Sequence, residues 1–103
     1  MTRLLNQYKP QTDSPLDPGI KEIVLILRSE GVETVESCEG GEGHSYKEPT
    51  IIFHGNPYEG FRVYTIVKNH GYLIDSLAYE YIESDGWLKG PYWRLVLTKL
   101  DRK

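Results

Sequence analysis

The feature that most constrains this chain is a pattern of punctuation that occurs twice. Asp17-Pro18 precedes an apolar run, Gly31 ends it, a β-branched stretch follows, and Pro49 introduces TIIFH. Asn56-Pro57, Gly71 and Pro91 repeat the order, with Pro91 introducing YWRLVLTK. The Asx-Pro to Gly distances are 14 and 15 residues, and the Gly to Pro distances are 18 and 20. An Asx side chain can accept hydrogen bonds from free N–H groups at a helix start, and proline tolerates the first helical position. Glycine closes a helix in the left-handed conformation. The two halves therefore predict an αββαββ pseudo-repeat of the α+β class. Two such units can share one antiparallel sheet with both helices on one face.

The helical runs support this. Ile20, Ile23, Val24 and Leu27 recur at helical spacing, as do Val63, Ile66, Val67 and His70. The stretch IVLIL alone also fits a buried strand, because five apolar residues do not separate the two periods. The signals at its ends favour a helix. Glu59, three residues after Asn56, predicts a capping box for the second helix. Residues 32–37, 50–54 and 72–83 read as strands, residues 83–90 as a turn, and residues 92–99 as the last strand. The polar residues 1–16, with Pro10 and Pro15, read as an extended arm whose Tyr8 could dock on the domain or on a second copy. Residues 17–103 read as a single domain, as the 103-residue length allows.

Alternation divides the sheet. Ile51, Phe53, Trp93, Leu95 and Leu97 are expected to face the helices. Thr50, Ile52, His54, Tyr92, Arg94 and Val96 fall on the other side. That second face mixes polar, aromatic and apolar groups and reads as potentially open. A ligand, the arm or a partner subunit could cover it, and a homodimer is expected.

Composition excludes several classes. A net charge of −3 with no run of lysine or arginine argues against duplex nucleic-acid binding. No apolar run reaches membrane-spanning length, and the N-terminal residues lack the apolar core of a signal peptide. A single cysteine excludes an internal disulfide framework and fits a reducing, cytoplasmic compartment.

The chemistry concentrates in SCEGGEGH, residues 37–44. Gly40, Gly41 and Gly43 can turn backbone N–H groups toward an oxygen-rich ligand. The stretch follows a strand, as phosphate loops do, but lacks the lysine of a P-loop. A mobile glycine hairpin is the plain alternative. Cys38 needs a neighbouring base to act as a nucleophile, and His44 shares its loop, so both are catalytic candidates. Lone cysteines are also common as small buried hydrophobes. Cys38, His44 and His54 could hold zinc, with Glu39, Glu42 or Glu48 as a fourth ligand, although the spacing matches no structural zinc pattern. His54 and Arg94 on the second sheet face, beside Tyr92, would suit an anionic nucleotide-like molecule. Arg94 could instead pair with Glu80 across a hairpin, leaving His54 in solvent.

The run VESCEGGEGHSYKEPTIIFHG is similar to a family of short, uncharacterised proteins from bacteria and their phages. The likeness lies in Gly31-Val32-Glu33-Thr34, the Ser-Cys-x-Gly-Gly-x-Gly-His loop at Ser37 to His44, and the Pro-Thr-x-x-Phe strand at Pro49 to Phe53. It marks Cys38, Gly40, Gly41, Gly43, His44, Phe53 and His54. Ser37, Cys38 and Gly40 also resemble the Ser-Ser-Cys-Ser-Gly-Arg motif of the wybutosine-synthesis methyltransferases, without its arginine. A phage setting implies a counter-defence protein that sequesters a nucleotide signal.

The expectation is a binding protein for a small anionic ligand, without turnover of its own. Its site residues are Ser37, Cys38, Gly40, Gly41, Gly43, His44, His54, Arg94 and Tyr92, and the motifs require no cofactor. A small hydrolase or transferase using Cys38 or a metal, and a protein-interaction module with a tyrosine-rich face, are the alternatives.

Overall fold

The computed structural model describes residues 17–100. The arm expected over residues 1–16, including Tyr8, lies outside the described residues, as do residues 101–103. The elements run α1 (Lys21–Ser29), β1 (Glu33–Cys38), β2 (Thr50–His54), α2 (Glu59–Asn69), β3 (Ile74–Ser84) and β4 (Trp87–Leu97). The strands form one antiparallel sheet in the order β1-β2-β4-β3. Each half contributes a hairpin, and β2 and β4 join the halves, with Ile51 opposite Leu95 and Phe53 opposite Trp93.

Both helices bury their apolar stripes in one core. Ile20, Ile23, Val24 and Leu27 of the first half are fully buried with Val63 and Val67 of α2. The same cluster holds Ile51, Phe53, Leu95 and Leu97, with Trp93 and Leu77 packed against it. Leu25, between the buried positions of α1, is 45% exposed, which the helical period requires and a fully buried strand would not. Each such buried aliphatic side chain contributes about 1.5–3 kcal/mol relative to exposure.

The helices close as the glycines indicated. Gly31 N–H donates to Arg28 O and Val32 N–H to Leu27 O, while Gly71 and Tyr72 repeat this on Lys68 and Val67. Gly31 and Gly71 have φ of 85° and 87°. The starts differ from expectation. α1 begins at Lys21, four residues after Asp17, and no side chain caps it. Asp17 instead directs its carboxylate to Glu39, accepting from its N–H. Asn56 does perform the expected task, accepting from the N–H groups of Tyr58 and Glu59. Glu59 does not complete the capping box, since its carboxylate holds the Arg62 guanidinium in two hydrogen bonds.

The last strand also starts earlier than expected. Asp85 and Gly86, with φ of 55° and 81°, form a two-residue hairpin turn, so Trp87 already belongs to β4. Asp-Gly favours the turn whose twist matches paired strands. Pro91 lies inside β4, joined to Gly90 by a cis peptide bond. It is tolerated there because pairing with β2 ends at Trp93, and the ladder to β3 shifts register between Glu80 and Ile82.

The sheet face opposite Ile51, Phe53, Leu95 and Leu97 is mixed, with Arg94 and Glu80 more than one-third accessible and an apolar patch that is covered. Val35, Ile52 and Tyr92 form a second buried cluster, with Ile82 packed against it. Tyr92 is fully buried.

Candidate functional site

The loop from Glu39 to Pro49 joins β1 to β2 and is irregular throughout. Gly40 sets its path. Its φ is +86°, and a Cβ there would lie 2.7 Å from Glu48 C and Pro49 N. A side chain would therefore collide with backbone, which cannot swing aside as a side chain can. Gly41 N–H donates to Lys47 O and His44 N–H to Gly41 O, folding the glycines into a closed turn. Gly40 N–H points at Cys38 Sγ, 3.4 Å away. With Glu39 N–H held by Asp17, the amides of Glu39, Gly40, Gly41 and His44 are all used within the protein. The loop does not offer those four amides as a cradle for an anion.

It gathers side chains instead. Asp17 Oδ2 accepts from Glu39 N–H at 3.0 Å, and Glu39 Oε1 accepts from Gly19 N–H at 2.7 Å. This reciprocal clamp ties the lead-in to α1 to the end of β1. His44 reaches into it. Its Nδ1 lies 3.7 Å from Asp17 Oδ2, and its Nε2 lies 3.5 Å from Glu39 Oε2. Cys38, the last residue of β1, is buried and in no disulfide. One donor atom from each of Asp17, Cys38 and His44 lies within 4.8 Å of the others. A thiol, an imidazole and a carboxylate thus converge beside a second carboxylate.

Of the expected site residues, the structure brings together Cys38, Gly40, Gly41 and His44. Ser37 is the preceding residue of β1, opposite Ile51, and Gly43 is an exposed neighbour of His44. The remainder lie elsewhere. Cys38 pairs with Thr50 at one end of the β1–β2 hairpin, whereas His54 pairs with Glu33 at the other. Thr50 and His54 are four steps apart along the strand, about 13 Å at the usual rise. His54 packs its ring on Tyr92, with centroids 5.2 Å apart. In the cluster with Cys38 and His44, the third donor is Asp17 rather than His54. Arg94 extends to Glu80, with Nε 3.0 Å from Oε2, so the cross-strand pairing is the one formed. Tyr92 is buried, where its ring cannot stack on a ligand without rearrangement.

Asp17 and the clamping role of Glu39 were not identified from sequence. Asp17 read as a helix cap because an aspartate before proline fits that role well. Nothing nearby indicated a tertiary partner 22 residues away.

A scan against protein-family models gives no match, and searches of curated proteins and of solved structures give none.

Proposed function

We propose that this chain is a small binding protein whose ligand site is the corner formed by Asp17, Cys38, Glu39 and His44. The ligand presents a cationic centre to that corner. The observation that carries this reading is the reciprocal Asp17–Glu39 clamp with His44 set between its two carboxylates. Both carboxylates would repel a bare phosphate, while the inward-turned amides offer it little in exchange. The anionic, nucleotide-like ligand suggested by the glycines fits this corner only in company with a cation. Binding needs no turnover, and the burial of Cys38 weighs against direct thiol attack on a bulky substrate.

Native mass spectrometry of the full chain purified from cells tests the reading. A retained mass is expected, lost in His44→Ala and kept in Arg94→Ala. Retention that survives His44→Ala and disappears with Arg94→Ala would move the site to the sheet face and overturn the proposal.

A further inference from the structure

Resting on that reading of the corner, we propose that its cationic centre is a divalent transition-metal ion of the zinc class. The ion is held by the Asp17 carboxylate, the Cys38 thiolate and the His44 imidazole, with Glu39 orienting the histidine.

The distances, which also suit an ion pair, fit coordination. The 3.7 Å between His44 Nδ1 and Asp17 Oδ2 is too long for a hydrogen bond. Two ligands on one tetrahedral ion sit roughly 3.3–3.8 Å apart when each bond is about 2.0–2.3 Å long. The whole donor set spans no more than 4.8 Å. Drawing it onto one ion needs a shift of roughly 1 Å by its widest pair. His44 is exposed on an irregular loop and flanked by Gly43.

Cys38 contributes the soft donor of the set. It is 5% exposed, unoxidised, and aims its sulfur into the cluster. Gly40 N–H is directed at Sγ from 3.4 Å.

Charge and softness narrow the ion. On binding, the thiol proton leaves to solvent. The carboxylate and thiolate then carry two negative charges, which balance a divalent cation around a neutral imidazole. Sulfur and nitrogen donors select zinc, cobalt and their neighbours over magnesium or calcium, which prefer oxygen ligands. Metal-bound histidines usually donate their second ring N–H to a carboxylate that fixes the ring. Glu39 Oε2, 3.5 Å from Nε2, is placed for that role if Nδ1 takes the ion, and Gly19 N–H anchors its other oxygen. Three protein ligands leave one tetrahedral position open, to water or to a donor from a small molecule. Through that position an anionic ligand could enter an otherwise acidic corner.

Titration of the full chain with Co²⁺, followed by Zn²⁺ competition, tests the inference. The expected result is one ion per chain, with an intense visible spectrum of tetrahedral cobalt and a near-ultraviolet thiolate charge-transfer band. Cys38→Ser should abolish that band, and His44→Ala should weaken Zn²⁺ binding by at least about 100-fold. Glu39→Gln should keep the band and weaken binding about 10- to 100-fold. Near-ultraviolet circular dichroism confirms that each variant is folded. His44 is exposed, so His44→Ala remains informative if Cys38→Ser fails to fold. A cobalt spectrum unchanged from the aqueous ion, or binding indifferent to both substitutions, overturns the inference. If no metal binds yet a retained organic mass disappears in His44→Ala, the metal fails while the corner stands. If that mass also survives His44→Ala, both fail.

Discussion

Asp17 and Asn56 occupy corresponding places in the two αββ halves, and their side chains do different work. Asn56 closes the turn that leads into its own helix. Asp17 leaves its helix uncapped and reaches the end of β1. The hairpins differ in the same sense. β3 and β4 meet through the tight Asp85–Gly86 turn, while β1 and β2 are joined by the long glycine-rich loop. Aromatic groups stitch the second lead-in to the sheet, with Trp93 Nε1–H donating to Asn56 O and Tyr79 O–H to Gly55 O. Carboxylates stitch the first. One frame thus carries two lead-ins held by different chemistry, aromatic side chains in the second half and carboxylates in the first. An uncapped helix start whose aspartate serves a distant strand departs from local preference.

The largest effect should come from breaking the packed half. Gly60 of α2 lies against the Trp93 ring, where a Cβ would sit 2.5 Å from the nearest ring carbon. Trp93 is itself held between Phe53 and Tyr79, so it has little room to move. Gly60→Ala should cost about 1–3 kcal/mol in urea unfolding through overpacking. The counterpart in the first half is Gly19, where a Cβ would meet Glu39 Oε1 at 2.6 Å. That atom ends a flexible side chain, so Gly19→Ala should cost less in stability than Gly60→Ala. It should nevertheless weaken Co²⁺ binding, because the carboxylate beside His44 must move. Equal losses of stability at the two glycines would erase the contrast between the halves.

The next effect separates the two Asx residues directly. Asn56→Ala removes an acceptor used by two N–H groups and should cost about 1 kcal/mol. It should leave Co²⁺ binding unchanged. Asp17→Ala removes no cap from α1, and its consequence should appear chiefly as lost metal and ligand retention. Unfolding and cobalt titration of both variants check the pair. Asp17→Ala with unaltered binding would return Asp17 to a purely structural role.

The frame was readable in the sequence because its signals are local. Ile20, Ile23, Val24 and Leu27 declare a helix through spacing alone. Gly31 and Gly71 mark ends that glycine satisfies readily, and the alternation of Ile51, Phe53, Leu95 and Leu97 assigns the core face. Asp85-Gly86 carried an equally local signal for the start of β4, masked by Pro91, which looked like an entry point. The candidate corner was half readable. Cys38 and His44 share one loop, so their association followed from chain proximity. Asp17 comes to them through a tertiary hydrogen bond, and an Asp-Pro pair looks the same whether its carboxylate turns toward its own helix or a distant strand. His54 lies apart from them for the complementary reason: it is near in sequence, but an extended strand carries it to the far end of the hairpin.

The smallest effect bears on the sheet face that the glycine loop was expected to share. Arg94 and Glu80 are both more than one-third accessible at their side chains. Exposed ion pairs contribute about 0–1 kcal/mol, because solvent screens the attraction and two long side chains must be ordered. Arg94→Ala should therefore lower stability by less than about 1 kcal/mol. It should leave Co²⁺ affinity and the retained mass unaltered, since Glu80 holds its guanidinium on a strand remote from His44. Glu80→Ala provides the sharper control, because it frees that guanidinium without removing it. If a phosphorylated small molecule binds tightly only after Glu80→Ala, the sheet face has latent anion affinity that the ion pair suppresses. Indifference in both variants would confine recognition to the half of the molecule where Asp17 left its helix.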